Sequence, residues 1–405
     1  MITVEEALER VLAHLPARRV ATVGLRNAVG EVLAEDVAAA EDSPPFDKAL
    51  MDGYALLHAD VAAGRAEWEV AEVVYAGALP TQPVSAGRTV RIMTGAMLPT
   101  GADLVVPHEE TESRDGGRRM ALRRVLPGMA PGWNVMRRGA SGRAGEVVVP
   151  AGTRLRAQAI GALAELGRVE LQVWARPRVA VLATGNELVP CEREPGPGQI
   201  RNSNEPMLLA QLRQFGAEAS GLGIACDEAG ELQTRIEAGL KSDILLISGG
   251  VSAGDRDLIP GALARAGVRC LFHGLNLRPG KPLWFGTHDA DARRTLVFGL
   301  PGNPVSSMVC AELFVGPAVR ALRGTSETGW RTFRAALQAD VALTGDRRTF
   351  FPAHWTEADG GRVVHALPWE GSSDLRGTAI ANGLIDFRQG GRTYAAGEIV
   401  DVVEL

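Results

Sequence analysis

The N-terminal segment spaces its apolar residues as an amphipathic helix does. Thr3 and Glu6 have the spacing of a capping box, in which each side chain accepts a hydrogen bond from the other residue's backbone amide. The apolar positions share one helical face and stop before Pro16, which cannot continue a helix. They are Val4, Leu8, Val11, Leu12 and Leu15.

Short apolar or alternating runs separated by Gly and Pro predict a β-rich unit from about Ser43 to Gly142. The runs cover 69–74, 89–93, 104–107 and 120–125. Asp115-Gly116-Gly117 predicts a hairpin turn. The arginines around this turn could form an anion patch, but a solvated hairpin is favoured and we assign them no role. They are Arg114, Arg118, Arg119, Arg123 and Arg124.

Strands and helices alternate from Arg176 onwards. Strands are predicted at 179–183, 244–247, 268–272 and 295–298, and helices at 206–215, 228–240, 258–265 and 305–322. This alternation indicates a parallel sheet with helices on both faces, a three-layer α/β domain. After Thr325 the chain returns to short strands at 333–343, 362–367, 383–387 and 399–403, enough for a small β-barrel or sandwich.

Composition and charge exclude several classes of function. With 405 residues, 46% hydrophobic and 22% charged, the chain resembles folded proteins of more than one domain. The net charge of -5 disfavours nucleic acid as a partner. No signal-peptide pattern or run of about 18 apolar residues occurs, so we expect no membrane partner and a cytoplasmic location. The cysteines and histidines have neither disulfide-framework nor zinc-site spacing.

Gly- and Pro-rich segments follow four predicted strands, at 184–187, 248–257, 278–282 and 301–306. In an open parallel sheet, ligands bind beyond the carboxyl ends of the strands, where such loops converge. The glycines of the 248–257 segment leave backbone amides open to an anion, and Asp255 and Asp257 follow. This pattern suits a phosphate with a divalent cation, and it is neither a Walker loop nor a dinucleotide loop.

Each of these groups also has a plainer interpretation. Asp255 or Asp257 could cap the next helix, and Glu187 could be a solvated loop acid. Lys281 lies on a rigid turn that would present its ammonium to a phosphate, although a surface lysine is the alternative. The turn 301–304 would place Asn303 at a helix N-terminus that can bind a ligand or can simply be capped.

Read in order, these segments resemble the molybdopterin molybdenumtransferase family, bacterial proteins that insert molybdate into molybdopterin and are related to the E domain of gephyrin. The resemblance extends through most of the chain. Its motifs are Pro45-Phe46-Asp47 to Met51-Asp52-Gly53-Tyr54-Ala55, Arg91-Ile92-Met93-Thr94-Gly95-Ala96, Gly101-Ala102-Asp103, Asn134-Val135 with Arg137-Arg138-Gly139, Thr184-Gly185-Asn186-Glu187-Leu188, Gly198-Gln199-Ile200 with Ser203-Asn204, Gly249 to Gly254, Pro279-Gly280-Lys281-Pro282 and Leu300 to Ser306.

The resemblance implies four domains and an elongated homodimer. A helical and extended domain would comprise 1–42 and 143–175, a β-rich insert 43–142, an α/β molybdopterin-binding domain 176–325, and a small β-barrel 326–405. The active cleft would lie between the α/β domain of one subunit and a nearby insert and barrel. Molybdopterin adenylyltransferase and molybdoenzyme chaperones are the expected protein partners.

The resemblance also implies the reaction: adenylylated molybdopterin and molybdate give molybdenum cofactor, AMP and water, with Mg2+. Glu187, Asp227 and Asp257 would hold the cation, since carboxylates are hard oxygen ligands. The expected catalytic set adds Asp52, Thr94 and Lys281 to these acids. The expected molybdopterin-binding set is Ser248, Gly249, Gly250, Ser252, Gly254, Arg278, Gly280, Pro301, Asn303, Pro304, Ser306, Arg137, Ser372 and Arg348.

The chain departs from the family pattern at several positions. Ser141 replaces an expected acid, Gly274 replaces an expected lysine, Arg278 stands for another lysine, and Ala49-Leu50 replaces Ser-Ala. Losing a carboxylate and an ammonium would weaken ligand binding or transition-state stabilisation. A preference for tungstate, or a non-catalytic molybdopterin-binding scaffold, therefore stands beside molybdenum insertion. Molybdopterin adenylyl transfer is a third alternative, against which the insert and the C-terminal domain argue.

Overall fold

The computed structural model describes residues 1–226, 228–251, 258–291, 293–326, 328–358, 360–388 and 391–405. The predicted first helix is present, and its capping box forms through reciprocal bonds between Thr3 and Glu6. Val4 and Val11 are buried against the α/β core, so this helix packs on a domain that is remote in sequence. The elements before the insert are α1 (Val4–Ala13), β1 (Val20–Gly24) and β2 (Val37–Ala38).

The predicted β-rich insert folds around one six-stranded sheet of order β7-β4-β6-β5-β9-β8. The hairpin at Asp115–Gly117 is confirmed, because β8 and β9 pair antiparallel on either side of it. Arg119 lies 3.2 Å from the Glu67 carboxylate, a surface contact of the kind expected for a solvated hairpin. The elements are β3 (Lys48–Ala49), β4 (Gly53–Leu56), α2 (His58–Ala62), β5 (Glu67–Val74), β6 (Arg88–Ile92), β7 (Leu104–Pro107), β8 (Thr111–Arg114), β9 (Arg119–Leu122) and β10 (Val135–Met136).

After the insert the chain returns to its N-terminal segment. β1 pairs antiparallel with β12, and β2 pairs with β11. Leu33, from before the insert, shares one buried cluster with Leu155 and Leu163 from after it. The returning elements are β11 (Val147–Val149), α3 (Ala157–Glu165) and β12 (Glu170–Trp174).

The α/β region is a three-layer sandwich around a six-stranded sheet of order β16-β13-β17-β21-β20-β18. Alternate residues of β13 enter different cores: Val181 packs with Leu208 of α4, and Leu182 packs with Ile236 of α5. The elements are β13 (Arg178–Thr184), β14 (Leu188–Val189), β15 (Ile200–Arg201), α4 (Asn204–Phe215), β16 (Glu218–Ala225), α5 (Ala229–Gly239), β17 (Ile244–Ser248), α6 (Leu258–Arg265), β18 (Arg269–His273), β19 (Leu277–Arg278), β20 (Trp284–Ala290) and β21 (Arg293–Leu300).

The sheet is parallel-rich but not wholly parallel. The strand predicted at 268–272 exists as β18, yet it pairs antiparallel with β20, which itself pairs antiparallel with β21. The described residues between these three strands contain no helix, and a parallel connection would need a crossover of about a dozen residues or more. β16 and β20 were missed because their exposed or polar positions interrupt the apolar runs on which the prediction depended.

The last helix of the α/β region runs from Pro304 to Leu322, as predicted, but it contains a π turn. Its parts are α7 (Pro304–Cys310), the π turn (Ala311–Val315) and α8 (Gly316–Leu322). Among the described helices, this is the segment long and apolar enough to cross a membrane. Because 83% of that apolar window is buried inside the protein, its composition fits a core helix equally well.

The C-terminal region is a closed barrel, which decides between the predicted barrel and sandwich. Five strands follow the order β24-β25-β22-β28-β26, and β26 pairs back with β24. The predicted strand 333–343 is divided in two, and β24 was missed although it is long, because Pro352 and polar residues interrupt it. The elements are β22 (Thr332–Leu337), β23 (Val341–Ala342), β24 (Arg348–Ala358), β25 (Gly361–Ala366), β26 (Gly383–Phe387), β27 (Thr393–Tyr394) and β28 (Ile399–Glu404).

Candidate functional site

The loops after β17 and β21 touch at the carboxyl edge of the α/β sheet. The Gly249 amide donates to the Leu300 carbonyl at 3.1 Å. A Cβ atom placed on Gly302 would lie 3.7 Å from the Gly249 Cα atom. These contacts follow from the sheet order, in which β17 and β21 are parallel neighbours and their loops emerge side by side.

Two glycines allow the loop after β17 to approach the end of β13. Gly249 has φ +101°, and a Cβ there would lie 2.5 Å from the Thr184 carbonyl oxygen. Gly250 has φ +64°, and a Cβ there would lie 2.7 Å from the Ile259 side chain. Any larger residue would be strained and would collide with its surroundings. The Gly249 amide is already bonded to the Leu300 carbonyl, so Gly250 is the glycine of this pair that can offer a ligand a backbone amide with no side chain in between.

Asn204 joins these loops, and the sequence reasoning gave it no role. From the first turn of α4, its Nδ2 donates to Ser248 Oγ at 2.6 Å and to the Gly302 carbonyl at 2.7 Å. Its Oδ1 is buried without a hydrogen-bond partner among the described residues. The prediction considered segments that follow strands, whereas Asn204 begins a helix. The available signal was its place in the Ser203-Asn204 motif.

The start of α7 is held by the C-terminal region. Asn303 Nδ2 donates to Ser372 Oγ at 2.8 Å, and the Val305 amide donates to the Ser372 carbonyl at 3.1 Å. The structure thus brings Ser372 to the turn that contains Pro301 and Pro304. Because Pro304 has no amide hydrogen and the Val305 amide is already bonded, this helix end offers an anion fewer free donors than the sequence suggested. Ser306 is buried in the first turn.

The turn that carries Lys281 rests directly on α7. Gly280 has φ +117°, and a Cβ there would lie 2.6 Å from Cys310 Sγ. Burial raises the pKa of the Cys310 thiol, so this sulfur remains a neutral packing group. Arg278 Nη1 donates to the Thr344 carbonyl at 3.0 Å. Lys281 itself is exposed and forms no ion pair with the residues that the structure describes.

Of the three expected cation ligands, Glu187 is the one that lies within the described residues. Its carboxylate is exposed and lies against Gly185, where a Cβ would be 2.6 Å from Glu187 Oε2. No group of three or more His, Cys, Asp or Glu residues with metal-binding geometry occurs in the described ranges. Ser252, Gly254, Asp227 and Asp257 lie outside those ranges. A free, solvent-facing carboxylate at a sheet edge suits Mg2+, which prefers oxygen ligands.

The expected residues of the insert form a separate group. The hydroxyl and amide of Thr94 both donate to Asp52 Oδ1, at 2.6 and 2.7 Å, and lower the pKa of that carboxyl. Arg137 Nη1 donates to Asp47 Oδ2 at 2.6 Å. Within the described residues, no hydrogen bond or ion pair of Asp52, Thr94 or Arg137 reaches the edge of the α/β sheet.

Arg348 is brought to α1 and the barrel rather than to the loops. Its Nε and Nη2 donate to the two Asp386 oxygens at 2.7 and 2.6 Å, and its Nη1 pairs with Glu5. The Arg348 side chain is 11% exposed, and that of Asp386 is 5% exposed. All three guanidinium nitrogens thus have partners, which fits a structural ion pair between elements.

Models of three protein-family regions match successive parts of the chain. They are the MoeA N-terminal region (domain I and II) over 2–167, a probable molybdopterin binding domain over 180–321, and the MoeA C-terminal region (domain IV) over 334–405. The molybdopterin molybdenumtransferase of Staphylococcus epidermidis is 33% identical over 99% of this chain and 95% of its own. The chain belongs to the molybdopterin molybdenumtransferase family. The Staphylococcus aureus enzyme of the same name is also 33% identical over 99% of the chain.

Solved structures agree with this family. A crystal structure titled as the molybdopterin biosynthesis MoeA protein of Pyrococcus horikoshii covers 100% of this chain at 29% identity, with a TM-score of 0.82. A molybdenum cofactor biosynthesis protein of Pyrococcus furiosus also covers 100% of this chain, with a TM-score of 0.61. At 19% identity, the second likeness supports the fold alone.

Three departures from the pattern of the molybdopterin molybdenumtransferase family can be placed in the structure. Ser141 is exposed, and its amide donates to the Ser43 carbonyl at 2.8 Å, where the chain enters and leaves the insert. Gly274 has φ +84°. A lysine at this position would be strained in the present backbone. Ala49 is buried in the insert core, and Leu50 is exposed.

Proposed function

We propose that this protein inserts molybdate into adenylylated molybdopterin and releases AMP, as a cytoplasmic enzyme of molybdenum cofactor biosynthesis. The observation that carries the proposal is the Asn204 amide, which bonds both Ser248 and the Gly302 carbonyl in a chain of this family. It fixes two Gly-rich loops at the sheet edge where ligands bind in open α/β sheets. Molybdate is a tetrahedral dianion, which suits backbone amides that side chains do not cover.

In this proposal the phosphate groups lie between the Gly-rich loops and the turn that carries Lys281. Gly250 supplies a backbone amide, because that of Gly249 is bonded to the Leu300 carbonyl, while the exposed Lys281 supplies an ammonium that has no ion pair in the described part of the chain. Ser306 and Asn303 line the neighbouring helix start, with Asn303 positioned by Ser372. Arg278, tied to Thr344, supports the turn from the other side.

Mg2+ would be held by Glu187 together with Asp227 and Asp257. When bound, it would polarise the phosphoanhydride of the adenylylated substrate as a Lewis acid. Glu187 supports this assignment because its carboxylate is exposed beside Gly185. Calorimetric titration with Mg2+ alone tests it: Glu187→Gln should weaken binding about tenfold or more, whereas Glu237→Gln, an exposed change on α5, should not.

The insert residues Asp52, Thr94 and Arg137 would complete the cleft of a homodimer from the opposite side. The Thr94 hydroxyl and amide lower the pKa of the Asp52 carboxyl and so favour its charged form. Its position away from the α/β loops is compatible with a cleft made by two copies. Molybdopterin adenylyltransferase would supply the adenylylated substrate, and molybdoenzyme chaperones would accept the product.

Single-turnover AMP release from adenylylated molybdopterin tests the main proposal. With Mg2+ present, release should be stimulated by molybdate, by tungstate, or by both, relative to a reaction without oxyanion. Release independent of either oxyanion would contradict metal insertion. AMP transfer from ATP to molybdopterin would instead identify an adenylyltransferase.

A non-catalytic molybdopterin-binding scaffold is the second candidate, and Ser141 and Gly274 favour it. Both replace residues that the family pattern leads one to expect as charged, and Gly274 has φ +84°, a conformation that a lysine rarely adopts. Tight binding of the adenylylated ligand without AMP release under any of the conditions above would support this candidate and reject the enzyme.

A further inference from the structure

A cavity of about 940 Å³ lies at the far end of the last α/β helix from the candidate site. It is bordered by the segment before α3, by α8, and by the start and end of the barrel. A helix rises about 1.5 Å per residue, so Arg320 in this cavity is roughly 25 Å along the axis from Asn303. The cavity is therefore separate from the Gly-rich loops of the same chain, and its size suits a small-molecule ligand.

Arginine is the commonest residue type in the lining. Among the described residues, five arginines and two acidic side chains, Glu312 and Glu404, line the cavity. Arg154, Arg156 and Arg331 are exposed, and none forms an ion pair with a described residue. Arg323 is different, because it bonds Glu31 at 3.1 Å. Guanidinium groups bind phosphate and carboxylate oxygens in pairs of hydrogen bonds, so unneutralised arginines in a cavity favour an oxyanion.

Buried polar atoms at the cavity wall lack partners. Arg323 is 6% exposed, and its Nε has no hydrogen bond with any residue described; the same is true of Arg320 Nε. Leaving a buried charged group partly unsatisfied costs free energy, which a ligand or a small rearrangement on binding would recover. Glu312 is also 6% exposed, and it lies on the π turn, a feature often found at functional sites.

We propose that this cavity binds a small phosphoryl anion carrying at least two negative charges, held by Arg154, Arg156, Arg320 and Arg331. The anion is either free, as phosphate or pyrophosphate, or part of an ester such as a nucleoside monophosphate. Because its arginines come from three separate parts of the chain, the bound anion ties the segment before α3 to α8 and the barrel. This site is additional to the proposed function and does not depend on it.

The test is calorimetric titration of the full-length protein with pyrophosphate, phosphate and AMP in turn. The double variant Arg156→Gln/Arg331→Gln should bind the preferred anion about tenfold more weakly or worse than the unchanged protein. The control Arg118→Gln/Arg334→Gln removes two exposed arginines outside the cavity and should stay within about twofold. The preferred anion should also raise the thermal midpoint of the unchanged protein and the control, but not of the cavity variant.

Lys281→Gln separates this cavity from the candidate site. If that variant keeps the binding that Arg156→Gln/Arg331→Gln loses, the cavity is the site, whatever the outcome of the AMP-release assay. Binding lost only with Lys281→Gln, equal loss in the arginine control, or no binding at about 1 mM ligand would each overturn the proposal. A change of association state in sedimentation would also overturn the proposal, if Arg156→Gln/Arg331→Gln still bound the anion as the unchanged protein does. The arginines would then serve an interface between copies.

Discussion

Asn204 is the residue whose role depends most on three-dimensional context. It bonds a hydroxyl at the end of β17 and a carbonyl in the loop after β21, so it sets the spacing of two loops that are about fifty positions apart in sequence. Its buried Oδ1 has no partner in the described residues, so one acceptor of this side chain remains unused. Asparagine is suited to this position because it can donate twice and still accept.

We expect Asn204→Asp to lower kcat/KM for AMP release about tenfold to a hundredfold. A carboxylate cannot donate to Ser248 and the Gly302 carbonyl, and it would repel the phosphates. Asn276→Asp, a change at an exposed position, is the control and should have little effect. Steady-state kinetics with both variants, after thermal unfolding shows that they are folded, makes the comparison. Equal activity of Asn204→Asp and the unchanged protein would contradict the assigned role.

Glu312 predicts a pH dependence of stability. Burial raises the pKa of this carboxyl from 4.5 to about 7, against the opposing influence of Arg320. Between those values the folded state holds a proton that the unfolded state releases. The free energy of unfolding therefore falls as pH rises from about 4.5 to about 7 and levels off above that, by up to about 3 kcal/mol in all.

Glu312→Gln should remove this dependence. Relative to the unchanged protein, the variant should gain stability from pH 5 to pH 8, because the neutral amide has no charge to bury. Urea unfolding at both pH values measures the difference, and Glu237→Gln, at an exposed position on α5, provides the reference. A constant difference between Glu312→Gln and the unchanged protein at both pH values would show that Glu312 does not titrate in this range.

At the level of elements, the turn carrying Lys281 is fixed by its contact with α7. We expect Gly280→Ala to destabilise the protein by about 2–4 kcal/mol, because φ +117° is unfavourable for alanine and the new Cβ would collide with Cys310 Sγ. Displacement of Lys281 should also reduce AMP release. Chemical unfolding and the release assay measure the two effects.

Gly161→Ala is the matched control for this change. Gly161 lies in α3, and no heavy atom is within 4 Å of the added Cβ. Alanine has the higher helix propensity, so this variant should be more stable by up to about 1 kcal/mol. Similar behaviour of the two alanine variants would show that the Gly280 turn adapts without cost.

Individual elements were predictable to the extent that their patterns were local. The capping box of α1, the hairpin at Asp115–Gly117 and the last helix follow from neighbouring residues, and all three are present. β16, β20 and β24 were missed because exposed, polar or proline positions interrupt them, and their pairing partners supply what the local pattern lacks. β18 runs antiparallel to β20 because the described residues that connect them form no helix. The spacing of apolar residues predicts a strand but not its direction in the sheet.

At the scale of the whole molecule, a buried ion pair joins the barrel to α1. Asp386→Ala should destabilise the protein by about 3–5 kcal/mol, since Arg348 would lose its bidentate partner in a buried setting. Asp401→Ala removes a partly exposed partner of the exposed Arg388 and should cost less than about 1 kcal/mol. Thermal unfolding compares the two variants.

The variant Asp386→Ala also tests whether Arg348 has a structural role or binds substrate. With the structural role, Asp386→Ala should leave the KM of AMP release within about twofold of the unchanged protein. A large rise in KM without loss of stability would instead support the molybdopterin-binding role that the resemblance implied for Arg348.

The sequence by itself determined the order of helix, β insert, α/β region and β region, and through its motifs it indicated the family. These properties depend on local spacing and on residue types at fixed intervals. It also located the Gly-rich loops, because strands and the turns after them are adjacent in the chain.

Only the tertiary structure decided which groups meet. Asn204 with Ser248, Ser372 with Asn303, and Arg348 with Asp386 join residues that are far apart in sequence. The arginines around the cavity likewise come from three regions. Such contacts arise when separate elements pack to bury apolar surface, and the free energy of that packing is not encoded in any single segment. The chemistry of the loops was therefore readable from the chain, whereas its geometry was not.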